Sequence, residues 1–208
     1  MNDQGSSAPI QAIVFDLGGV LVDWNPRYLY RQIFTSPDEM EYFLTQICSM
    51  AWNEQQDRGR SWDEGVRKLQ AQYPQYWHEI AAYQLRWAEM LRGELPDTVE
   101  LLSQLRQTPL RLLALTNWSR ETFPIALERF DFLSWFEGIL VSGQEHMAKP
   151  DPAIFELMAS RYQLAPAQTV FIDDSKKNVK AAREAGYRAI HFTGADALRH
   201  ELAHLGIL

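Results

Sequence analysis

Two acidic turns far apart in this chain hold the residues best able to do chemistry. Ile13-Val14-Phe15 runs into Asp16-Leu17-Gly18-Gly19-Val20-Leu21, and Val170-Phe171-Ile172 runs into Asp173-Asp174-Ser175. Each apolar run predicts a short, fully buried strand with its acids at the C-terminal end. In an open α/β sheet the crevice outside those ends is where ligands bind. Carboxylates gathered there, beside glycines that admit a ligand to the backbone, suit a hard divalent cation and phosphate. Two further groups are placed in the same way. Thr116-Asn117 closes the run from Leu110, and Lys149 stands in Ala148-Lys149-Pro150-Asp151-Pro152.

Taken singly, each motif has an ordinary structural reading. Aspartate before Gly-Gly is turn chemistry, Asp174-Ser175 and Thr116-Asn117 suit helix caps, and a lone lysine is usually solvated. Four such motifs in order, each at the end of a separate strand, are harder to explain without function.

The elements that must position them alternate. Strands are expected over Gln11–Leu17, Leu110–Thr116, Gly138–Ser142, Thr169–Asp173 and Arg188–Phe192. Helices are expected over Pro96–Gln107, Arg120–Phe130, Pro152–Tyr162, Lys177–Ala185 and Ala195–Leu205. This alternation predicts an α/β fold, a parallel sheet flanked by helices on both faces. The stretch from Trp24 to Gly93 has no strand signal and several helical ones. Ser36-Pro37-Asp38-Glu39 and Ser61-Trp62-Asp63-Glu64 read as helix starts, the second with capping-box spacing. The division predicted is a core of 10–22 plus 94–208, with 23–93 inserted as a small α-helical cap over the strand ends.

Composition narrows the classes. At 208 residues, 46% hydrophobic and 23% charged, the chain is an ordinary globular protein. A formal charge of -7 argues against nucleic acid or an anionic membrane as partner. Cys48 is the single cysteine, so no disulfide forms within the chain. Met1 to Pro9 is polar and small, and no apolar run reaches membrane-spanning length. A cytoplasmic protein, monomer or homodimer, is expected.

The ordered set Asp16, Thr116-Asn117, Lys149 and Asp173-Asp174 resembles the haloacid dehalogenase superfamily, most of whose members are phosphatases. The resemblance covers Gln11 to Leu21 and Pro96 to about Phe192. The start Asp16-Leu17-Gly18-Gly19-Val20, with Trp52-Asn53 and Asp57-Arg58-Gly59 in the insertion, is similar to a subgroup of sugar-phosphate phosphatases. It implies a Rossmann-like core and a magnesium-dependent phosphatase acting on a small phosphorylated metabolite, with a sugar phosphate expected. By that resemblance Asp16 would be the nucleophile, forming an aspartyl-phosphate. Asp16, Asp174, the Gly18 carbonyl and Asp173 would serve Mg2+. Thr116 and Asn117 would bind the phosphoryl oxygens, and Lys149 would stabilise the transferring group. Trp24 and Trp52 are the cap tryptophans expected to touch substrate.

One departure stands out. The family's phosphatases usually carry a second aspartate two positions after the nucleophile, as acid and base, and here that position is Gly18. Asp23, Asp57 and His146 are the available replacements. The metal-independent 2-haloacid dehalogenases also lack that aspartate and are the alternative reading. A non-catalytic phosphometabolite-binding protein is another. Paired acids at Asp173-Asp174 favour metal and phosphate over dehalogenation, because uncompensated carboxylates beside Asp16 would be expensive.

Overall fold

The computed structural model describes residues 9–208, so the polar N-terminal stretch lies, apart from Pro9, outside the described residues. Strands β1 (Ala12–Phe15), β4 (Arg111–Thr116), β5 (Gly138–Val141), β6 (Thr169–Asp173) and β7 (Arg188–His191) form one parallel sheet ordered β5-β4-β1-β6-β7. The chain builds outward from β1, first to β4 and β5 on one side and then to β6 and β7 on the other. The order reverses at β1, which puts Asp16 at the topological switch point.

The strands are continuous apolar runs because both faces are covered. Ile13, Phe15, Leu112, Ala114, Val170 and Ile172 pack into one core. Val14, Leu113, Leu115 and Phe171 pack into the other, against Ile154, Phe155 and Met158 of helix Pro152–Arg161. Phe15 pairs in register with Ala114 on one side and Ile172 on the other. Three strands therefore end at nearly the same level, which holds Asp16, Thr116 and Asp173 together.

Helix ends follow local chemistry. Ser36 and Ser61 accept hydrogen bonds from the Glu39 and Glu64 backbone N–H groups, as their sequences require. The helix expected from Arg120 starts later, at Phe123, with Pro124 in its first turn.

The inserted segment differs from expectation in one respect. Val22–Trp24 (β2) and Leu91–Glu94 (β3) pair as an antiparallel two-stranded ribbon at the entry and exit of the helical block. Neither is long enough to show alternation, and each gains its hydrogen bonds only from a partner some seventy residues away in sequence. Between them run helices Arg27–Tyr30, Pro37–Tyr42, Met50–Asp57, Trp62–Gln72 and Trp77–Leu85. Their interior is aromatic. Trp52, Trp62 and Tyr83 lie with ring centroids 5.2–5.6 Å apart, and Tyr30 meets Phe43 at 4.9 Å. Among the described residues no helix is long and apolar enough to cross a membrane.

Core and insertion meet where β4 and β5 end. Ser142 Oγ accepts from the Trp118 backbone N–H and donates to the Asp57 carbonyl. The adjacent Gly143 has no room for a side chain, since a Cβ would stand 2.6 Å from Arg120 N and 2.7 Å from Trp118 O. Those are backbone atoms that cannot swing aside. Gly143→Ala should therefore lower stability by about 1–3 kcal/mol, the usual size for overpacking. Urea unfolding measures it, and an unchanged midpoint would show the loop to be softer than its contacts indicate.

Candidate active site

The site grows from the ends of β1, β4 and β6. Asp16 follows β1, where its backbone N–H donates to Ile172 O at 2.8 Å. Its Oδ1 accepts from the Leu17 N–H at 2.7 Å. Asp173 closes β6 and is fully buried. Asp174 turns outward to the cavity. Oxygens of Asp16, Asp173 and Asp174 lie within 4.8 Å of one another.

Lys149 holds this group together from below. Its fully buried ammonium donates to Asp173 Oδ2 at 2.7 Å and to Leu115 O at 2.8 Å, and lies 2.9 Å from Asp16 Oδ1. An ammonium has three protons, and three acceptors take them. Burial alone would push the lysine pKa down, but Asp16 and Asp173 overcome it and raise it. The resemblance gave the Lys149 charge to the phosphoryl group and to the adjacent carboxylates. In the structure its protons go to Asp16, Asp173 and the Leu115 carbonyl, and the side chain is not among the cavity walls. Asp173 is similarly engaged, with Oδ1 accepting from the Ser175 N–H at 2.8 Å and both oxygens accepting from Asn178.

Asn117 also has a different partner from the one expected. Its Nδ2 donates to Lys149 O, and its Oδ1 accepts from Lys149 N, both at 2.9 Å. The side chain clamps the lysine backbone, although the residue still borders the cavity. Thr116 is buried at the end of β4 and is not among the cavity walls.

The cavity above these groups has a volume of about 340 Å³. That is within the range of small-molecule sites. Asp16, Gly18, Gly19, Asp174 and Asn117 form its floor, and Trp24, Trp87, Trp118, Met50, Asn53, Glu54, Asp57 and Lys177 its sides. Gly19 is required twice over. Its φ is +74°, and a Cβ there would come within 2.4 Å of Asp174 Oδ2. At Gly18, by contrast, a Cβ would meet nothing within 4 Å. The place of the family's second aspartate is open space.

Trp24 lines the cavity as expected, but Trp52 does not. It packs edge-on against Trp62 and Tyr83 inside the insertion, and its indole N–H donates to Gly65 O. Met50 and Glu54, which the sequence did not single out, line the cavity from one face of the same helix together with Asn53 and Asp57. Met50, Asn53, Glu54 and Asp57 follow the i, i+3, i+4, i+7 pattern. That pattern was the available signal, and Trp52 falls outside it. Of the other replacements for the missing acid, Asp23 accepts from Tyr28 OH, and the His146 ring lies against Gly59.

Charge balance defines what the site can hold. Three carboxylates against one ammonium leave two negative charges when all are ionised. Burial raises Asp16 to about 8, with Lys149 pulling down and Asp173 and Asp174 pushing further up. Burial and Asp173 also raise Asp174. An all-oxygen set with this deficit fits a hard divalent cation.

A family model described as haloacid dehalogenase-like hydrolase matches residues 10–186, and the chain belongs to that family. It is 32% identical over 196 residues to a sesquiterpene phosphatase from Aspergillus oryzae, covering 94% of this chain and 96% of that protein. A phosphorylated carbohydrates phosphatase from Thermotoga maritima is 24% identical, over 88% of this chain and 84% of its own. Among solved structures, a magnesium complex of a HAD family enzyme from Bacteroides thetaiotaomicron matches with a TM-score of 0.74. It is 21% identical and covers 94% of this chain and 99% of its own, a likeness of fold. The chain is thus a hydrolase and a phosphatase-like member of its family.

Removing the lysine charge tests the arrangement. Lys149→Met leaves two carboxylates buried without their cation and should cost about 3–5 kcal/mol of stability. Adding Asp173→Asn should recover part of that loss. Urea denaturation of the two variants measures both effects. Strict additivity of the two substitutions would mean that the pair is not coupled.

Proposed function

We propose that the protein is a magnesium-dependent phosphomonoesterase working through an aspartyl-phosphate at Asp16. The observation that carries this reading is the three-carboxylate cluster at the switch point, short of two positive charges when ionised, with Asp16 and Asp174 facing the cavity. When bound by Asp16, Asp174 and the Gly18 carbonyl, magnesium would screen the phosphate charge from the nucleophile and orient the in-line geometry. Asp173, with its oxygens already engaged, would act on the cation through the network rather than as a bare ligand.

The chain's own residues then divide the work. Lys149 and the Leu17 N–H both hold Oδ1 of Asp16, which leaves Oδ2 to attack phosphorus. Fixing the carboxylate in one rotamer converts binding into orientation. Asn117 keeps the Lys149 backbone in place, so it positions the nucleophile indirectly. The helix Met50–Asp57 and the indoles close the cavity and keep water from the transferring group.

For the substrate, Trp24, Trp87, Trp118 and Met50 support an organic group with a broad apolar surface, such as a terpenyl monophosphate. The relative named as a sesquiterpene phosphatase supports the same class. Asn53, Glu54 and Lys177 in the same walls, with the carbohydrate-named relative, support a sugar phosphate as the second reading.

A phosphate-release screen over terpenyl, sugar and nucleoside monophosphates, with and without magnesium, decides between these. Metal-dependent release is expected, fastest with terpenyl esters, and Asp16→Asn should abolish it. Equal turnover by that variant removes Asp16 as nucleophile. Halide release from 2-haloacids without metal would transfer the chain to the dehalogenases.

Magnesium affinity should also depend on pH. Cation binding requires ionised carboxylates. In the metal-free protein burial and the neighbouring acids raise Asp16 above the ordinary carboxylate range, so binding near neutrality expels its proton. Affinity should fall by about tenfold per pH unit where one proton is released. Calorimetry in buffers of different ionisation enthalpy should show proton release at pH 7 and little at pH 9. No pH dependence across that range would place the cation elsewhere.

A further inference from the structure

The cavity holds one aspartate that the cation cluster does not use. Asp57 ends helix Met50–Asp57 and shares the cavity with Asp16, Gly18 and Asp174. Its position is set from both sides of the seam. From its own helix, Asn53 Nδ2 donates to Oδ2 at 2.9 Å. From the core, the Ser119 backbone N–H donates to the carboxylate and Ser142 Oγ to the backbone carbonyl. A carboxyl tied to both halves of the molecule is fixed in the wall of the cavity that Asp16 also lines.

Its competitors have other partners. Glu54 pairs with Lys177 at 3.1 Å. Asp23 lies on the ribbon with Tyr28, and His146 packs on Gly59. Neither is among the cavity walls.

We infer that Asp57 is the general acid and base of the reaction, filling from the insertion the role that Gly18 leaves vacant on the core. The inference rests on the phosphatase reading above. In the first half-reaction an Asp16 oxygen bonds to phosphorus and the phosphorus–oxygen bond to the leaving group breaks. The departing oxygen takes the proton of the Asp57 carboxyl, leaving an alcohol and the Asp57 carboxylate. In the second, that carboxylate takes a proton from water as the water oxygen attacks phosphorus. The Asp16–phosphorus bond then breaks, giving back the Asp16 carboxylate, inorganic phosphate and a protonated Asp57.

The proton is available near neutrality. Burial, helped by Glu54, raises Asp57 to about 7, while the Ser119 N–H pulls it back. The other ionisable groups around the cavity are Asp16, Asp174 and Lys177, the last tied to Glu54. An acid with that value can both give and take a proton at working pH.

The test compares leaving groups with the magnesium-loaded full chain. An alkyl alkoxide needs protonation as it departs, whereas p-nitrophenolate does not. Asp57→Asn should lower kcat/KM by about 10²–10⁴-fold for the best alkyl monophosphate of the screen. For p-nitrophenyl phosphate the loss should stay below about tenfold, because kcat/KM reports the step before water enters. A wild-type fall in kcat/KM for the alkyl ester above pH 7 should vanish in the variant. Equal losses on both esters, in a variant that binds magnesium as the wild type does, overturn the assignment and leave the phosphatase reading standing. Asp57→Ser supports the same comparison if Asn disturbs the fold. Absence of release by the wild type from either ester overturns both readings together.

Discussion

A buried ammonium among two carboxylates and a carbonyl is the interaction on which the rest depends. Lys149 is buried away from solvent, and Asp16, Asp173 and Leu115 O receive its three protons. Opposite charges at about 4 Å are worth about 4 kcal/mol at an effective dielectric of 20. The reverse also holds. Without the lysine, Asp16 and Asp173 would repel in a place where Asp173 is fully buried. Yet one ammonium does not balance three acids, and the remainder is what makes the site a receptor for a divalent cation. The same lysine that stabilises the fold holds Oδ1 of Asp16 and leaves Oδ2 free of it.

Backbone geometry brings these groups together. Three neighbouring strands end in register, so residues at positions 16, 116 and 173 converge although more than fifty residues separate each from the next. Close approaches tighten the arrangement. Gly19 passes beneath Asp174, Gly143 passes beneath the loop after β4, and Asn117 stitches that loop to the Lys149 backbone. The polar groups that reach the cavity are held by others that never do.

The insertion supplies one wall of the cavity, and on the inference above it contributes the acid as well. One helical face carries Met50, Asn53, Glu54 and Asp57 to the cavity, while Trp52, one step along, faces the aromatic interior. A helix turns about 100° per residue, so neighbours in sequence serve opposite environments. That is why naming the motif Trp52-Asn53 did not separate a packing residue from a lining one. Residue type favoured the tryptophan, and orientation favoured the asparagine.

The strands, most helices, the family and the acidic cluster were all legible in the chain, because each rests on local signals. These are uninterrupted apolar runs, helix-start chemistry, and acids placed directly after strands. The ribbon of Val22–Trp24 with Leu91–Glu94 was not legible, since short strands reveal themselves only through a distant partner. Nor were the jobs of Lys149 and Asn117, whose residue types suit phosphate but whose hydrogen bonds go to the protein. Sequence alone determined which functional groups this protein owns and that Asp16, Thr116 and Asp173 stand at strand ends; Lys149, expected at one too, lies in the loop after helix Ser142–Glu145. Tertiary structure alone decided which of them face the cavity and which support it. The reason is that a side chain's partners depend on distances across the fold, and those do not exist until the chain has closed on itself.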